Sequence, residues 1–472
     1  MEPLLNVVRE AGQAALGLFT LPYFYIAVLF VWWHARQGTI LQRKLFHVRL
    51  YGSLQLVLTR VLAGLAVGAV LSIASLGAGA QLTNGTLLCV WIAMAVLALF
   101  QLRYVCLAYA AGLLGVLQAV VQWTGADGAQ GVLADAVRLI LEVHVPSLLF
   151  LAGILHIAEG LLVRLQGSKL AIPLFVEGKR GKPVGAYALT GMWPIPLLWL
   201  IPAGAEGLSL PWTPLFGMAQ DTAGWSLLAF PVLIGFSDRT LSFTPEQKAR
   251  MSGNSLMIYG LGIAALAMGG NYLPWLSVVG AIAAFVLHEG LLLVSRSRES
   301  GREFLYAQDR SGVRVLAVLP GTPAEEMEFQ SGEIIKRANG SAVRNKEELH
   351  AALQKQAAFC KLEVVNRDGQ IRFAQRARYA GEHHQLGLIL APDEQVDYVV
   401  GARSGSIWKI LREAGARRRG ERPAITARRE AESAAAELAA GSESPSELDP
   451  SAFEPAQAPV LPPRNAASRK KS

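Results

Sequence analysis

Charge is scarce in this chain: Asp, Glu, Lys and Arg make up 17% of its 472 residues, whereas 52% are hydrophobic. A soluble domain averages about 25% charged residues, so an ordinary soluble protein is excluded. Nearly all the long apolar runs lie before residue 295. Cysteine is also sparse. Cys89, Cys106 and Cys360 show no paired spacing, which excludes a disulfide framework or a Cys-x-x-Cys metal site and gives no sign of an oxidising compartment. At the N-terminus Glu2, Arg9 and Glu10 precede an apolar run without a small-residue cleavage site, so no cleaved signal peptide is expected. Catalytic motifs are missing as well. The nearest match to His-Glu-x-x-His is His288-Glu289-Gly290-Leu291-Leu292, which lacks the second histidine a zinc protease needs. A membrane serine protease would need Gly-x-Ser-Gly within a span, but Ser252-Gly253 follows Arg250 in a loop. An intramembrane protease, or its regulatory subunit, is therefore the alternative. The leading expectation is a non-enzyme with no catalytic residue, metal or cofactor.

What is present is a series of runs near the length of about 20 residues needed to cross a bilayer core. They cover residues 14–33, 61–80, 86–102, 104–122, 139–162, 185–203, 254–271 and 273–294, with a shorter run at 226–236. Basic residues collect on the cytoplasmic side of short loops. Seventeen Lys and Arg fall on alternate connections: Arg36, Arg43, Lys44, Arg49 and Arg60; Arg103; Arg164, Lys169, Lys179, Arg180 and Lys182; Arg239, Lys248 and Arg250; Arg296, Arg298 and Arg302. The opposite set holds only Arg9 and Arg138. This alternation requires 226–236 to cross, giving nine spans, an external N-terminus and a cytoplasmic C-terminus. If 226–236 re-enters instead, eight spans remain and one terminus changes side. Glu142, His144, His156, Glu159, His288 and Glu289 are the ionisable residues to weigh inside the apolar layer. His156 and Glu159 can pair on one helix face, against the alternative of a substrate or proton path. Gly64 and Gly68 form a small-xxx-small pattern.

Beyond residue 300 the pattern is that of a small soluble fold. "GVRVLAVLPG" reads as a strand, Pro320, Gly321 and Pro323 mark the turn into a short helix at 324–328, and "EIIKRANG" is a second strand closed by Asn339-Gly340. Asn345 with Glu348 opens a helix over 346–356 carrying Leu349 and Leu353. "CKLEVV" and "IRFAQRARY" flank the hairpin turn Arg367-Asp368-Gly369, and "HHQLGLIL" supplies a last strand.

This order, most clearly over 318–340, resembles a circularly permuted bacterial PDZ domain. The resemblance makes Gln385, Leu386, Gly387 and Leu388 a carboxylate-binding loop, Leu388 to Leu390 (with Ile389) the groove strand, and the helix from Lys346 to Gln356, bearing Leu349 and Leu353, the opposite wall. A peptide would add there as a strand. Glu328-Phe329 and Gly332-Glu333 depart from the usual apolar-Gly and Gly-Asp pairs.

The aromatic first span, the basic stretch "RKLFHVRL" at 43–50, the many short-looped spans and the single terminal PDZ-like unit together resemble the MinJ family of cell-division topology proteins. The resemblance covers roughly 14–395. It implies a membrane scaffold, at septum and poles, that bridges a DivIVA-like anchor to a MinD/MinC-like inhibitor. Read from its residues alone, "RKLFHVRL" is a basic loop meeting lipid headgroups. The expected organisation is an α-helical polytopic membrane domain at 1–295, a small α+β PDZ-like domain at 300–395, and a basic amphipathic segment with a disordered tail at 396–472. The tail is acidic and rich in Ala, Ser and Pro, with no Lys or Arg from 430 to 463. Membrane lipids and division proteins are the expected partners, a homo-oligomer stays open, and nucleic acid is not expected, since the net charge of +8 sits mainly at the membrane face.

Overall fold

The computed structural model describes residues 2–400 apart from 49, 126–129, 179–180, 204–206, 217–223, 309–310, 357, 378–385, 394–395 and 397–398. Residues 401–472, which hold most of the expected amphipathic segment and the acidic tail, lie outside the described residues.

Five helices are long and apolar enough to cross a membrane: α3 (Ser53–Ala78), α5 (Leu107–Thr124), α7 (Val145–Gln166), α8 (Pro245–Gly270) and α9 (Pro274–Ser300). A sixth is counted if α1 (Glu2–Leu18) and α2 (Pro22–Phe46) form one broken span. They meet at a 57° bend inside the expected 14–33 run. Pro22 occupies the start of α2, where its missing N–H costs no helical bond. A shorter apolar helix, α4 (Asn84–Phe100), covers the third expected run. The run at 139–162 is divided between α6 (Val132–Leu141) and α7. There His144 caps α7 by accepting the Ser147 N–H at its Nδ1.

The runs at 185–203 and 226–236, expected as helical spans, are strands instead. β2 (Pro183–Pro202) and β3 (Trp225–Thr240) pair antiparallel from Tyr187↔Thr240 to Pro202↔Trp225, and β1 (Ile172–Glu177) pairs with the start of β2. The reason lies in the sequence. Pro194 and Pro196 within one run would each delete a helical hydrogen bond and clash with the preceding turn, and hydropathy alone does not separate a buried strand from a buried helix. At roughly 3.3 Å per residue, the sixteen paired positions make a ladder longer than an apolar layer of about 30 Å is thick.

An open strand edge is intolerable against lipid unless protein covers it, and α3 covers this one. One face of α3 carries Arg60, Gly64, Gly68 and Ser72 along the outer edge of β2. Arg60 donates to the Thr190 carbonyl (2.9 Å), and Ser72 Oγ accepts the Leu198 N–H (3.0 Å). Leu82 N–H reaches the Leu200 carbonyl (3.3 Å). Pro194 and Pro196 have no N–H to satisfy. Their carbonyls lie so close to Gly64 and Gly68 that a Cβ at either glycine would overlap them. The glycine pair therefore serves a helix-on-strand seam.

α7 is the axis of the helical body, with fifteen of its 22 residues buried. It packs against α8 through reciprocal glycines: a Cβ at Gly153 or Gly260, or at Gly160 or Gly253, would press on the opposing glycine's carbonyl oxygen. The outer helices expose Tyr23, Trp33, Ile282 and Val286, a surface suited to lipid. Near the base of the hairpin, the buried Lys248 ammonium of α8 bonds Asp238 of β3 (3.2 Å), Glu299 of α9 (3.2 Å) and Ser295 Oγ (2.8 Å). Glu299 also accepts the N–H groups of Leu241 and Ser242.

The C-terminal module follows the expected element order. Its strands β4 (Val313–Val318), β5 (Ile334–Ala338), β6 (Ser341–Ala342), β7 (Phe359–Val365), β8 (Ile371–Ala377) and β9 (Leu388–Leu390) form a sheet of order β8-β7-β5-β4-β9, with β6 on β5. The helices are α10 (Pro323–Glu326) and α11 (Lys346–Gln354). Asn339 and Gly340 both have positive φ and form the tight β5–β6 turn, while Gly369 (φ +81°) closes the β7–β8 hairpin. Val315, Ile335, Leu353, Leu362 and Val364 fill the module's core. A second apolar cluster, of Tyr187, Leu189, Tyr306, Leu316 and Ile389, fastens the module to the hairpin base. There Tyr187 OH donates to the Leu316 carbonyl and Gly185 N–H to the Tyr306 carbonyl (3.0 Å).

Candidate functional site

Among the described residues, β9 is the last strand of its sheet and is paired on one side only. Gly387 O accepts from Leu319 N–H and Ala391 N–H donates to Arg314 O, so both bonds run to β4. By strand alternation the main-chain groups of Leu388 and Leu390 face the free edge. Across from that edge stands α11, capped by Asn345, whose Oδ1 accepts the Glu348 N–H (2.7 Å). Between them lies a cavity of about 310 Å³ lined by Lys346, Glu347, Leu349, His350, Leu353, Leu388 and Leu390. An apolar floor, one open strand edge and a charged rim can accept an extended peptide. Alongside lies a larger cleft, of about 1280 Å³, lined in part by Lys182, Arg302, Arg344 and Asp393. Burial raises the Asp393 carboxyl above its ordinary value, partly offset by the Lys346 N–H that it accepts.

The residues expected to form a peptide site separate into groups. Leu349, Leu353 and Leu388 line the cavity together. Ile389 points the other way, into the cluster that meets the membrane body, because successive side chains of a strand alternate in face. Leu386 is 1% exposed, has φ +58°, and packs in the module core rather than presenting its side chain to the groove. Gly387 (φ +82°) sits where an added Cβ would overlap the Thr322 side chain. Gln385 lies outside the described residues. Leu390, in the expected groove strand, and His350, in the expected helical wall, also line the cavity; the i, i+4 relation of Lys346 to His350 and the alternation from Leu388 to Leu390 single them out within those elements.

The basic stretch at 43–50 is not laid out as a simple loop over headgroups. Residues 43–46 complete α2, His47 caps it in the left-handed region, and Phe46, Val48 and Leu50 pack beneath the module. Arg43 and Lys44 remain exposed, and Arg49 lies outside the described residues. Of the intramembrane ionisable residues, Glu142 ends α6. His156 and Glu159 pair as expected, at 3.9 Å. Glu289 accepts from Tyr109 (2.7 Å) and pairs with Arg103 (3.2 Å).

Several apolar helices with a sheet-and-helix module at their C-terminal end define a polytopic membrane protein carrying a small appended domain. No protein-family model matches the chain. It is 30% identical over 407 residues to the cell division topological determinant MinJ of Bacillus subtilis (strain 168), a match covering 85% of this chain and 98% of that protein. It is also 28% identical over 270 residues to probable cell division topological determinants MinJ of Lacticaseibacillus paracasei and Lacticaseibacillus casei (strain BD-II), covering 54% of this chain and 68% of theirs. The chain belongs to the MinJ family of cell division topological determinants.

Proposed function

We propose that the protein is a membrane-anchored scaffold of division-site placement that bridges a DivIVA-like polar and septal anchor to a MinD/MinC-like inhibitor, with the β9–α11 groove as one docking site. The observation that carries this reading is the open edge of β9 over an apolar cavity, since a free strand edge facing a helix is the geometry of strand addition. The exposed Arg43 and Lys44 beside the module offer a second, electrostatic contact. On this reading the module is cytoplasmic, and the membrane helices hold the docking surfaces at the bilayer instead of performing chemistry.

The test is the variant Leu390→Asp with His350→Glu, which puts two carboxylates along the groove while leaving the core leucines in place. In living rods it should insert and accumulate normally yet fail to bring either the anchor-linked or the inhibitor-linked fluorescent partner to midcell. Full recruitment of both partners by the variant would overturn the docking assignment.

A further inference from the structure

Three residues distant in sequence converge inside the helical body. Cys106, at the N-cap of α5, His156 of α7 and His288 of α9 bring one ligand-type atom each within 4.8 Å of one another. Cys106 Sγ lies 3.4 Å from His156 Nε2, and the two imidazole rings stand edge to face at 5.2 Å. Tetrahedral zinc, with bonds of about 2.3 Å to sulfur and about 2.0 Å to nitrogen, places those two atoms roughly 3.6 Å apart.

The surrounding hydrogen bonds fix which nitrogen is bare on each ring. Tyr109 spends its only proton on Glu289 Oε1 (2.7 Å), whose other oxygen is paired with Arg103. Tyr109 can therefore only accept from His288 Nδ1, 2.8 Å away, so Nδ1 carries the hydrogen and Nε2 the lone pair. His156 Nδ1 is 2.7 Å from the Ala152 carbonyl, which can only accept, and again Nε2 is left bare. A ligating histidine typically donates its second nitrogen to a carbonyl or a polar side chain in this way. Glu159 Oε2 lies 3.9 Å from His156 Nε2, beside the three converging ligand atoms but not among them.

We propose that Cys106, His156 and His288 form a structural site for one divalent zinc-class ion that ties α5, α7 and α9 together, with a solvent oxygen in its fourth position and the Glu159 carboxylate beside it as a counter-charge. Binding releases the Cys106 thiol proton to solvent, and the resulting thiolate with the Glu159 carboxylate cancels the two positive charges of the ion. The site is then neutral overall, which suits an apolar interior. Thiolate and imidazole together favour zinc over magnesium or calcium. The role is structural: Glu289, next to His288 in the chain, is held by Arg103 and Tyr109.

The experiment uses the full chain, purified in detergent with a tag free of histidine, supplied with zinc and then exchanged with cobalt. The expected result is about one ion per chain, a thiolate-to-cobalt charge-transfer band, and visible bands of tetrahedral intensity. Cys106→Ser should abolish the charge-transfer band, while Cys89→Ser and Cys360→Ser keep it; His156→Gln and His288→Gln should lower the metal content. Absence of stoichiometric metal in the unaltered protein, a cobalt spectrum without a sulfur band, or a band that survives Cys106→Ser would overturn the proposal. If Cys106→Ser does not fold, X-ray absorption of the zinc-loaded unaltered protein decides it. One sulfur among nitrogen and oxygen neighbours is expected, and a shell without sulfur refutes the site.

Discussion

Changing Gly64 and Gly68 together to alanine separates a helix-on-strand seam from a plain helix bundle by the sign of its effect. In a helix whose glycine face is free, each Gly→Ala gains up to about 1 kcal/mol from propensity alone. Here each new Cβ falls on a carbonyl oxygen of β2, at Pro194 and Pro196, and a backbone atom cannot rotate aside. Overpacking of this kind costs about 1–3 kcal/mol per site. Pushing α3 off the strand also endangers the Arg60–Thr190 and Ser72–Leu198 bonds on the same face, and a buried polar group left unpaired costs about 1–3 kcal/mol. The two sites share a seam, so their effects do not simply add. A net loss of about 2–5 kcal/mol is expected after the propensity gain, or about 4–10 °C in apparent melting temperature at roughly 2 °C per kcal/mol for a large chain. Gly77→Ala is the control within the same helix, because a Cβ there meets nothing within 4 Å. The assay is size-exclusion of a fluorescent fusion after heating in detergent. A double variant that melts at or above the Gly77→Ala control would refute the seam.

Lys248→Met should destabilise by about 1–3 kcal/mol, since it leaves the partly buried Asp238 and Glu299 without the cation they share; adding Asp238→Asn and Glu299→Gln should recover part of that loss in the same melting assay, and no recovery would count against the ion network. Reporters fused after residues 250 and 300 should both read cytoplasmic and one within "AEGLSLPWTP" external, a cytoplasmic reading there being incompatible with a hairpin that traverses the bilayer. Gly387→Val should lower the stability of the whole protein as well as any partner binding, because it forces a β-branched residue into φ +82° against Thr322; a loss of recruitment with unchanged melting would show instead that the turn acts only at the groove.

The C-terminal module was legible almost element by element, since its turns are written in residues that few other conformations accept, Asn339-Gly340 and Asp368-Gly369 above all. The apolar runs of α3, α5, α8 and α9 were equally plain. The hairpin was not, although Pro194 and Pro196 announced it, because a positive-inside count registers crossings and not conformation. Two strands that go out and back satisfy the same alternation as two helices. The direction of Ile389 depended on which face of β9 meets the membrane body, a tertiary fact that no local pattern contains. The meeting of Cys106 with His156 and His288 was hidden for a similar reason, as the ligand atoms lie on three helices and no short motif spans them.

The segment between α9 and β4 bears on how a bound partner would be presented. It is hydrogen-bonded along its course, with Leu305 N–H to the Leu241 carbonyl (2.8 Å) and the Tyr306 carbonyl to Gly185 N–H. Beneath it, Ile389 is locked against the hairpin base while its neighbours Leu388 and Leu390 face the groove. The module is thus a bracket bolted to the wall rather than a lamp on a cord. A strand added to β9 would inherit a set height and compass bearing relative to the membrane plane. Copies gathered on one patch of bilayer would then present their partners in parallel, like teeth of a comb, which a flexible tether of the same length could not do.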